Sequence, residues 1–193
     1  MSNYRPMCDL WILARAKLKD HKKYVGAYLG GFPERARVLI GCGPDDPVLH
    51  VCGGMAKHYP YKGGFGPNDK TLDIDAATEP DILQDARDAW PQYTLLPEGV
   101  DSRDSLRKWS GIIMDPPYSE TDADKYNCGS EVYPKPNELM KRAMQVLPVG
   151  RKAGLIHYAL PACPKNAKFV ACVGIICGFN NRIRCFSVFE RIS

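Results

Sequence analysis

The sequence of 193 residues lacks long hydrophobic runs, Cys-x-x-Cys pairs and low-complexity segments. Its longest apolar stretch, residues 170–179, is well short of the roughly 20 residues that span a membrane. The eight cysteines do not have the spacing of a zinc site, so no metal is expected. A secretory signal is also lacking at the N-terminus, which favours a cytoplasmic protein with reduced cysteines.

A strong charge of one sign is lacking as well. Lys and Arg number 26 against 22 for Asp and Glu, which leaves a net charge of +4. The basic residues form small groups, such as residues 17–23 and the pair Arg182 and Arg184. These groups are compatible with a nucleic-acid partner and equally with a solvated surface. The length and the hydrophobic content of 45% predict one globular domain.

Apolar periodicity and turn residues predict an alternation of helices and strands. Helices are predicted at residues 9–21, 33–40 and 136–147. Strands are predicted at residues 48–51, 71–74, 82–83, 109–114, 154–160, 169–177 and 182–189, the last two joined as a hairpin by residues 178–181. We therefore expect a doubly wound α/β sheet with one reversed strand, in which residues 1–47 form an N-terminal helical extension and residues 48–193 the α/β core.

Glycine, aspartate and proline residues follow four of the predicted strands. In open α/β sheets the ligand site lies beyond the carboxyl ends of the strands, so these residues are expected to meet at one crevice. They are Cys52, Gly53 and Gly54 after the first core strand, Asp73 and Asp75 at the second, Asp85 and Ala86 after the third, and Asp115, Pro116, Pro117 and Tyr118 after the fourth.

The first three groups suit an adenosine-bearing cofactor. Glycines after a strand allow the backbone to approach a ligand closely. Asp73 or Asp75 can accept both ribose hydroxyls, and Asp85 can accept the adenine amine. A phosphate-binding lysine loop is lacking, which favours a nucleoside cofactor without a pyrophosphate. The alternative is that the glycines form an ordinary turn and the aspartates cap turns or helices.

The segment from Asp115 to Tyr118 is the most specific pattern in the chain. Its two prolines cannot continue a central strand, so the strand ends there and the following residues lie at its carboxyl edge. The alternative interpretation is a rigid turn with a capping aspartate.

These elements together resemble the class I amino-methyltransferases that make N6-methyladenine or N4-methylcytosine in DNA. The resemblance covers residues 48–189 and rests on the glycine loop, Asp73-Ile74-Asp75, Asp85-Ala86 and Asp115-Pro116-Pro117-Tyr118, in that order. In addition, Tyr28-Leu29-Gly30-Gly31-Phe32 is similar to the Tyr-Pro-Gly-Gly-Lys element of that family, which touches the methionine end of the cofactor.

The resemblance implies a Rossmann-like, seven-stranded sheet with an antiparallel last strand, S-adenosyl-L-methionine as cofactor, and methylation of an exocyclic amine, N6 of adenine in DNA. Asp115 and the Pro116 carbonyl would accept the two N–H groups of the amine, and Tyr118 would stack on a base swung out of the duplex. The cofactor would be bound by Tyr28, Gly30, Gly31, His50, Cys52, Gly53, Gly54, Asp73, Asp75, Asp85 and Ala86. Methylation of an RNA base, another amine or an amide stays open, as does a non-catalytic cofactor-binding partner subunit.

Two features depart from the pattern of that family. His50 and Cys52 stand where the family usually carries an acid and a denser glycine pattern, so His50 either hydrogen-bonds the cofactor or is a satisfied strand residue. No segment is long enough for a separate target-recognition domain, and residues 56–70 and 119–135 are the only candidate recognition loops. We therefore predict weak sequence specificity, or specificity supplied by a protein partner.

Overall fold

The computed structural model describes residues 4–15, 27–59, 64–91, 109–125, 133–178 and 182–193. These residues build one eight-stranded sheet with helices on both faces. The strands are β1 (Met7–Leu13), β2 (Val48–Val51), β3 (Lys70–Asp73), β4 (Ile82–Leu83), β5 (Gly111–Met114), β6 (Lys152–His157), β7 (Ala167–Cys177) and β8 (Ile183–Arg191). The helices are α1 (Phe32–Leu39), α2 (Glu120–Lys125) and α3 (Pro136–Val146), with short 3-10 helices at Ala56–His58 and Ala76–Thr78.

The strand order is β1-β7-β8-β6-β5-β2-β3-β4. From β4 to β6 all neighbours are parallel, whereas β8 is antiparallel to both β6 and β7. The doubly wound pattern and the reversed last strand are thereby confirmed. The expected number of seven strands is wrong by one, because β1 adds to the edge of the sheet in parallel with β7.

The helix predicted at residues 9–21 is wrong for its first part, where β1 forms instead, and residues 16–21 lie outside the described part of the chain. In β1 only Trp11 and Leu13 are buried, and the side chains between and before them are exposed. The exposed Leu10 and the buried Leu13 have helical spacing, which produced the wrong prediction. Residues 1–47 are therefore not a purely helical extension, because β1 belongs to the sheet.

The two faces of the sheet are covered by different helices. On one face, Phe32 and Ala36 of α1 pack with Ile113 and Phe186. On the other, α3 packs its buried residues Leu139, Met140, Ala143 and Met144 against strand residues that include Ile112, Met114, Leu155 and Phe189. Each fully buried Leu, Ile, Met or Phe side chain of these clusters stabilises the fold by about 1.5–3 kcal/mol, which fixes the central strands and the loops that follow them.

Both remaining predicted helices are confirmed within one or two residues, as α1 and α3. Helix α2 lies in a segment for which no helix was predicted. No helix within the described residues is long and apolar enough to cross a membrane.

Candidate active site

The carboxyl ends of five neighbouring parallel strands meet at one edge of the sheet. The last residues of β2, β3 and β5 are in register, with Val51 opposite Leu72 and also opposite Met114. Met114 in turn lies opposite Leu155 of β6. The predicted groups that follow β2, β3, β4 and β5 are therefore brought to one edge.

The loop after β2 is held against β3 by its backbone. Cys52 has a φ of 53°, in the left-handed region that favours glycine, and its N–H donates to the Leu72 carbonyl at 2.8 Å. A Cβ on Gly53 would lie 2.9 Å from the His50 carbonyl oxygen, so only glycine fits this approach. Gly54 N–H donates to Asp73 Oδ2 at 2.8 Å. The glycines therefore serve the turn itself and place it at the end of β2.

Asp73 and Asp75 have different local roles after β3. Asp73 accepts N–H hydrogen bonds from Gly54 and from Asp75, the latter at 3.0 Å. Burial raises the pKa of Asp73 above its ordinary value, and the backbone hydrogen bonds only partly offset this. Asp75 accepts from Ala77 N–H at 2.9 Å and caps a 3-10 helix. The capping alternative thus holds for Asp75, while Asp73 joins two strand ends.

Asp85 and Ala86 follow β4 at the same edge. Arg87 donates from Nε and Nη2 to the Asp85 carboxylate at distances of 2.6–3.0 Å, which lowers the pKa of Asp85. Ala86 is buried, and its carbonyl accepts from Trp90 Nε1 at 2.9 Å. Asp85 is therefore fixed in orientation by an arginine that is two residues away.

His50 lies in the interior and its imidazole is part of a buried polar network. Its Nε2 is 3.2 Å from Asp69 Oδ2 and its Nδ1 is 3.3 Å from Tyr28 Oη. Both ring nitrogens therefore have a hydrogen-bond partner, Asp69 on one side and Tyr28 on the other. Arg37 also donates to both oxygens of Asp69, at 2.5 and 2.6 Å. His50 is thus a satisfied strand residue, the second of the two alternatives.

The segment that resembles the Tyr-Pro-Gly-Gly-Lys element is anchored by this network and by β1. Tyr28 is buried and reaches His50, and Leu29 pairs with Arg15 just after β1. Gly30 N–H donates to the Ala14 carbonyl at 2.9 Å. Gly31 has a φ of 78° at the start of α1, where a left-handed residue is required. The Tyr28 side chain therefore faces the protein interior.

Asp115 and Tyr118 form the chemically distinctive part of the edge. The strand β5 ends at Met114, as the prolines predict, and Asp115 N–H still donates to the Val51 carbonyl at 3.1 Å. Tyr118 Oη donates to Asp115 Oδ1 at 2.6 Å. Burial raises the pKa of Asp115 to about 6, against the positive charge of Arg184 and the Tyr118 hydrogen bond, which both lower it. Asp115 therefore changes protonation state close to neutral pH.

Three residues beside Tyr118 were not predicted as site residues. The Tyr118 ring contacts the rings of His157 and Tyr158, with centroids at 5.3 and 4.7 Å. The guanidinium carbon of Arg184 lies 5.0 Å from the centre of the Tyr118 ring. Burial lowers the pKa of His157, which favours the neutral form of its ring. His157 ends β6, Tyr158 directly follows it and Arg184 lies in β8. The pairing of the two strands brings these residues together, and no local motif marks them.

The edge also suits a nucleoside ligand in its polarity. Asp73 and Asp85 are half-buried carboxylates, and Ile74, next to Asp73, is 40% exposed, which offers an apolar contact for a base. Among the described side chains, no group of three or more His, Cys, Asp or Glu residues could hold a metal ion.

The two candidate recognition loops are only partly described. Residues 60–63 and 126–132 lie outside the described residues, and with them Tyr126. In the second loop, Lys135 Nζ lies 3.6 Å from the centre of the Tyr133 ring, so a basic and an aromatic side chain are paired there.

No protein-family model matches this chain, and its sequence matches no curated protein. Its structure is similar to TrmN from Thermus thermophilus, with a TM-score of 0.61 and 15% identity over 86% of this chain. The chain spans half the length of TrmN, 50%. It is also similar to the putative methylase HI0767 from Haemophilus influenzae, with a TM-score of 0.50 and 11% identity over 84% of this chain and 89% of the methylase. These likenesses show that the chain has a Rossmann-like methyltransferase fold.

Proposed function

We propose that this chain is an S-adenosyl-L-methionine-dependent methyltransferase that acts on an exocyclic amino group of a nucleobase. The target proposed from the resemblance of its Asp-Pro-Pro-Tyr segment is N6 of adenine in DNA. The observation that carries the proposal is the half-buried pair of Asp115 and Tyr118 at the end of β5, next to the glycine loop at the end of β2. In a methyltransferase fold this pair offers an acceptor and an aromatic ring at the ligand edge.

Two acceptors on the strip can hold the target amine. Its nitrogen is a poor nucleophile because the lone pair is delocalised into the heterocycle. Tyr118 occupies Asp115 Oδ1, and no other described group donates a hydrogen bond to the carboxylate, so Oδ2 can accept one N–H. The Pro116 carbonyl can accept the other. With both N–H groups held, the lone pair is directed out of the plane of the base.

S-adenosyl-L-methionine supplies an electrophilic methyl group on a sulfonium. When the cofactor is bound, the new N–CH3 bond would form as the S–CH3 bond breaks, and the electron pair of that bond would stay on sulfur. Positive charge thereby moves to the target nitrogen, where the ionised Asp115 carboxylate stabilises it. The nitrogen then releases one proton, which Asp115 Oδ2 is suited to accept because its pKa is about 6.

The other predicted residues are assigned to the cofactor. Gly53 and Gly54 would allow the backbone to approach the sulfonium side, Asp73 would accept the ribose hydroxyls, and the segment of Asp85 and Ala86 would lie against the adenine, whereas Asp75 caps the 3-10 helix. His50 acts indirectly in this proposal, since its imidazole is buried and positions Tyr28. Sequence specificity beyond the target base is expected to be weak or to be supplied by a protein partner, with the two loops as the candidate recognition segments.

Transfer of a radiolabelled methyl group to separate DNA, RNA and protein pools tests the proposal. We expect label in DNA, recovered as N6-methyladenine on mass spectrometry, and a loss on the order of 100-fold or more in Asp115→Ala. Asp45→Ala is the matched control, because Asp45 is exposed in the turn before β2. Equal transfer by wild type and Asp115→Ala contradicts the catalytic role, label confined to RNA or protein assigns the strip to that substrate, and no label supports the non-catalytic alternative.

A further inference from the structure

Tyr158, Arg182 and Arg184 form a tyrosine–arginine wall next to the Asp115 strip. Tyr158 directly follows β6, Arg182 directly precedes β8, and Arg184 is the second residue of β8. Because β8 runs antiparallel to β6, with Cys185 opposite His157, the start of β8 lies at the ligand edge. The reversed strand is therefore what brings two arginines to the ends of the parallel strands.

The wall continues outward from the strip through a series of contacts. The Tyr118 and Tyr158 rings lie 4.7 Å apart between centroids at an angle of 54°. Arg182 Nη1 donates to Tyr158 Oη at 3.4 Å, and its guanidinium carbon is 5.9 Å from the centre of the Tyr158 ring. Arg184 covers the Tyr118 ring, with its guanidinium carbon 5.0 Å from the ring centre.

Exposure increases along this series. Asp115 and Arg184 are half-buried, Tyr158 is 37% exposed and Arg182 is exposed. The acidic residue that acts on Arg182 is Asp122 of α2, whose carboxylate accepts a hydrogen bond from Ser119 Oγ at 3.1 Å. At the outer end of the wall, the Tyr158 ring and the Arg182 guanidinium thus lie next to each other and both reach solvent.

We propose that Tyr158 and Arg182 form a subsite for the nucleotide next to the target base in a single strand, with Tyr158 stacking on the neighbouring base and Arg182 contacting a phosphate. This proposal rests on the proposed function, because a base held at Asp115 carries a sugar–phosphate chain that leaves over the exposed side of the site. An aromatic platform beside a guanidinium is the combination by which proteins bind single strands without reading sequence. A substrate that carries an amine but no phosphate would have no group for Arg182 to bind.

Binding measured without turnover separates this proposal from the catalytic one. The probes are a fluorescein-labelled single-stranded DNA and an RNA of the same sequence, titrated by fluorescence anisotropy at several salt concentrations. Arg182→Ala is expected to weaken binding several-fold and to reduce the slope of log K against log salt by about 0.7, the contribution of one phosphate contact in a single strand. Arg182→Lys is expected to keep the wild-type slope of log K against log salt, because its positive charge is retained. The probe that binds more tightly, DNA or RNA, shows which sugar the subsite prefers.

The tyrosine is tested in the same assay. Tyr158→Ala is expected to weaken binding about tenfold or more, and Tyr158→Phe to leave it nearly unchanged because stacking requires only the ring. Arg151→Ala is the matched control, since Arg151 is exposed before β6 at the opposite edge of the sheet. Circular dichroism and thermal melting verify that each variant is folded.

The subsite is overturned if wild type binds neither strand, if Arg182→Ala and Arg151→Ala have the same salt slope, or if Tyr158→Ala binds as wild type does. Wild-type binding with the expected slopes but without methyl transfer supports the subsite and counts against the proposed function alone. If methyl transfer is lost in Asp115→Ala but binding is unchanged in Arg182→Ala and Tyr158→Ala, the proposed function is supported and the subsite is overturned.

Discussion

The Tyr118 hydroxyl donates a hydrogen bond of 2.6 Å to Asp115 Oδ1, so the acid and the aromatic ring of the strip form one unit. The bond fixes the carboxylate and leaves its second oxygen for a ligand. It also stabilises the ionised form of Asp115 and so lowers its pKa, against the larger effect of burial.

Replacement of Tyr118 by Phe is expected to move the activity of the enzyme to higher pH. The ring is kept, but the pKa of Asp115 rises above about 6 because the hydrogen bond to its ionised form is lost. Since the ionised carboxylate accepts the amine, the acidic limb of the kcat/KM profile shifts upward, with roughly a tenfold loss at pH 6.5. Tyr4→Phe, at an exposed tyrosine, is the control. An unchanged profile in Tyr118→Phe would show that the hydroxyl has no part in tuning Asp115.

Replacement of Arg184 by Met is expected to shift the same limb in the same direction. The charge of Arg184 is the largest effect that lowers the pKa of Asp115, so its removal leaves burial unopposed by a cation. Arg184→Lys keeps the charge and should retain most of the wild-type profile. The measurement is kcat/KM for methyl transfer between pH 5 and 9, and identical profiles for the Met and Lys variants would contradict the electrostatic role.

Asp115 is also expected to lower the free energy of unfolding as the pH rises. Its pKa in the folded chain is about 6 against an ordinary value of 3.8, so the folded state binds the proton more tightly than the unfolded state. The resulting stabilisation is fully present below the ordinary pKa and is lost as pH rises through about 6. Asp115→Asn removes this dependence, and its stability relative to wild type should rise across that window by on the order of 2 kcal/mol.

Urea denaturation at a series of pH values measures this difference. Asp45→Asn serves as the exposed control and should run parallel to wild type. A constant difference between Asp115→Asn and wild type from pH 4 to pH 7 would mean that the Asp115 pKa is not raised.

The left-handed backbone at Cys52 predicts an unusual order of stabilities. A residue with a branched Cβ is the least tolerated at a φ of 53°, and glycine carries no such strain. Cys52→Val is therefore expected to have a free energy of unfolding about 1–2 kcal/mol below that of Cys52→Gly. Chemical denaturation of the two variants measures this, and equal stabilities would show that the loop relaxes away from the left-handed region.

Most of the sheet and its ligand edge could be predicted because the signals were local. The prolines after Met114 end β5, and β7 and β8 pair antiparallel as predicted, although the predicted turn between them lies mostly outside the described residues. Each of these features depends on residues within a few positions of one another, and patterns at this range determine where strands end.

The parts that could not be predicted depend on partners that are distant in the sequence. β1 is stabilised by pairing with β7, and this long-range pairing overrides the helical spacing of Leu10 and Leu13. Arg184 reaches Tyr118 only because β8 lies beside β6. The burial of His50 likewise depends on Asp69 in a later loop, and its neighbours in β2 gave no sign that both ring nitrogens are satisfied.

The pairing of β1 with β7 gives the sheet a particular order of assembly. During synthesis on the ribosome β1 emerges well ahead of the strand on which it depends, and an edge strand without its neighbour has unpaired N–H and C=O groups. On its other side, β7 pairs with β8. We therefore expect β1 to dock only after the chain has been synthesised through β7, and the Tyr28 segment beside it to reach its final position no earlier than that.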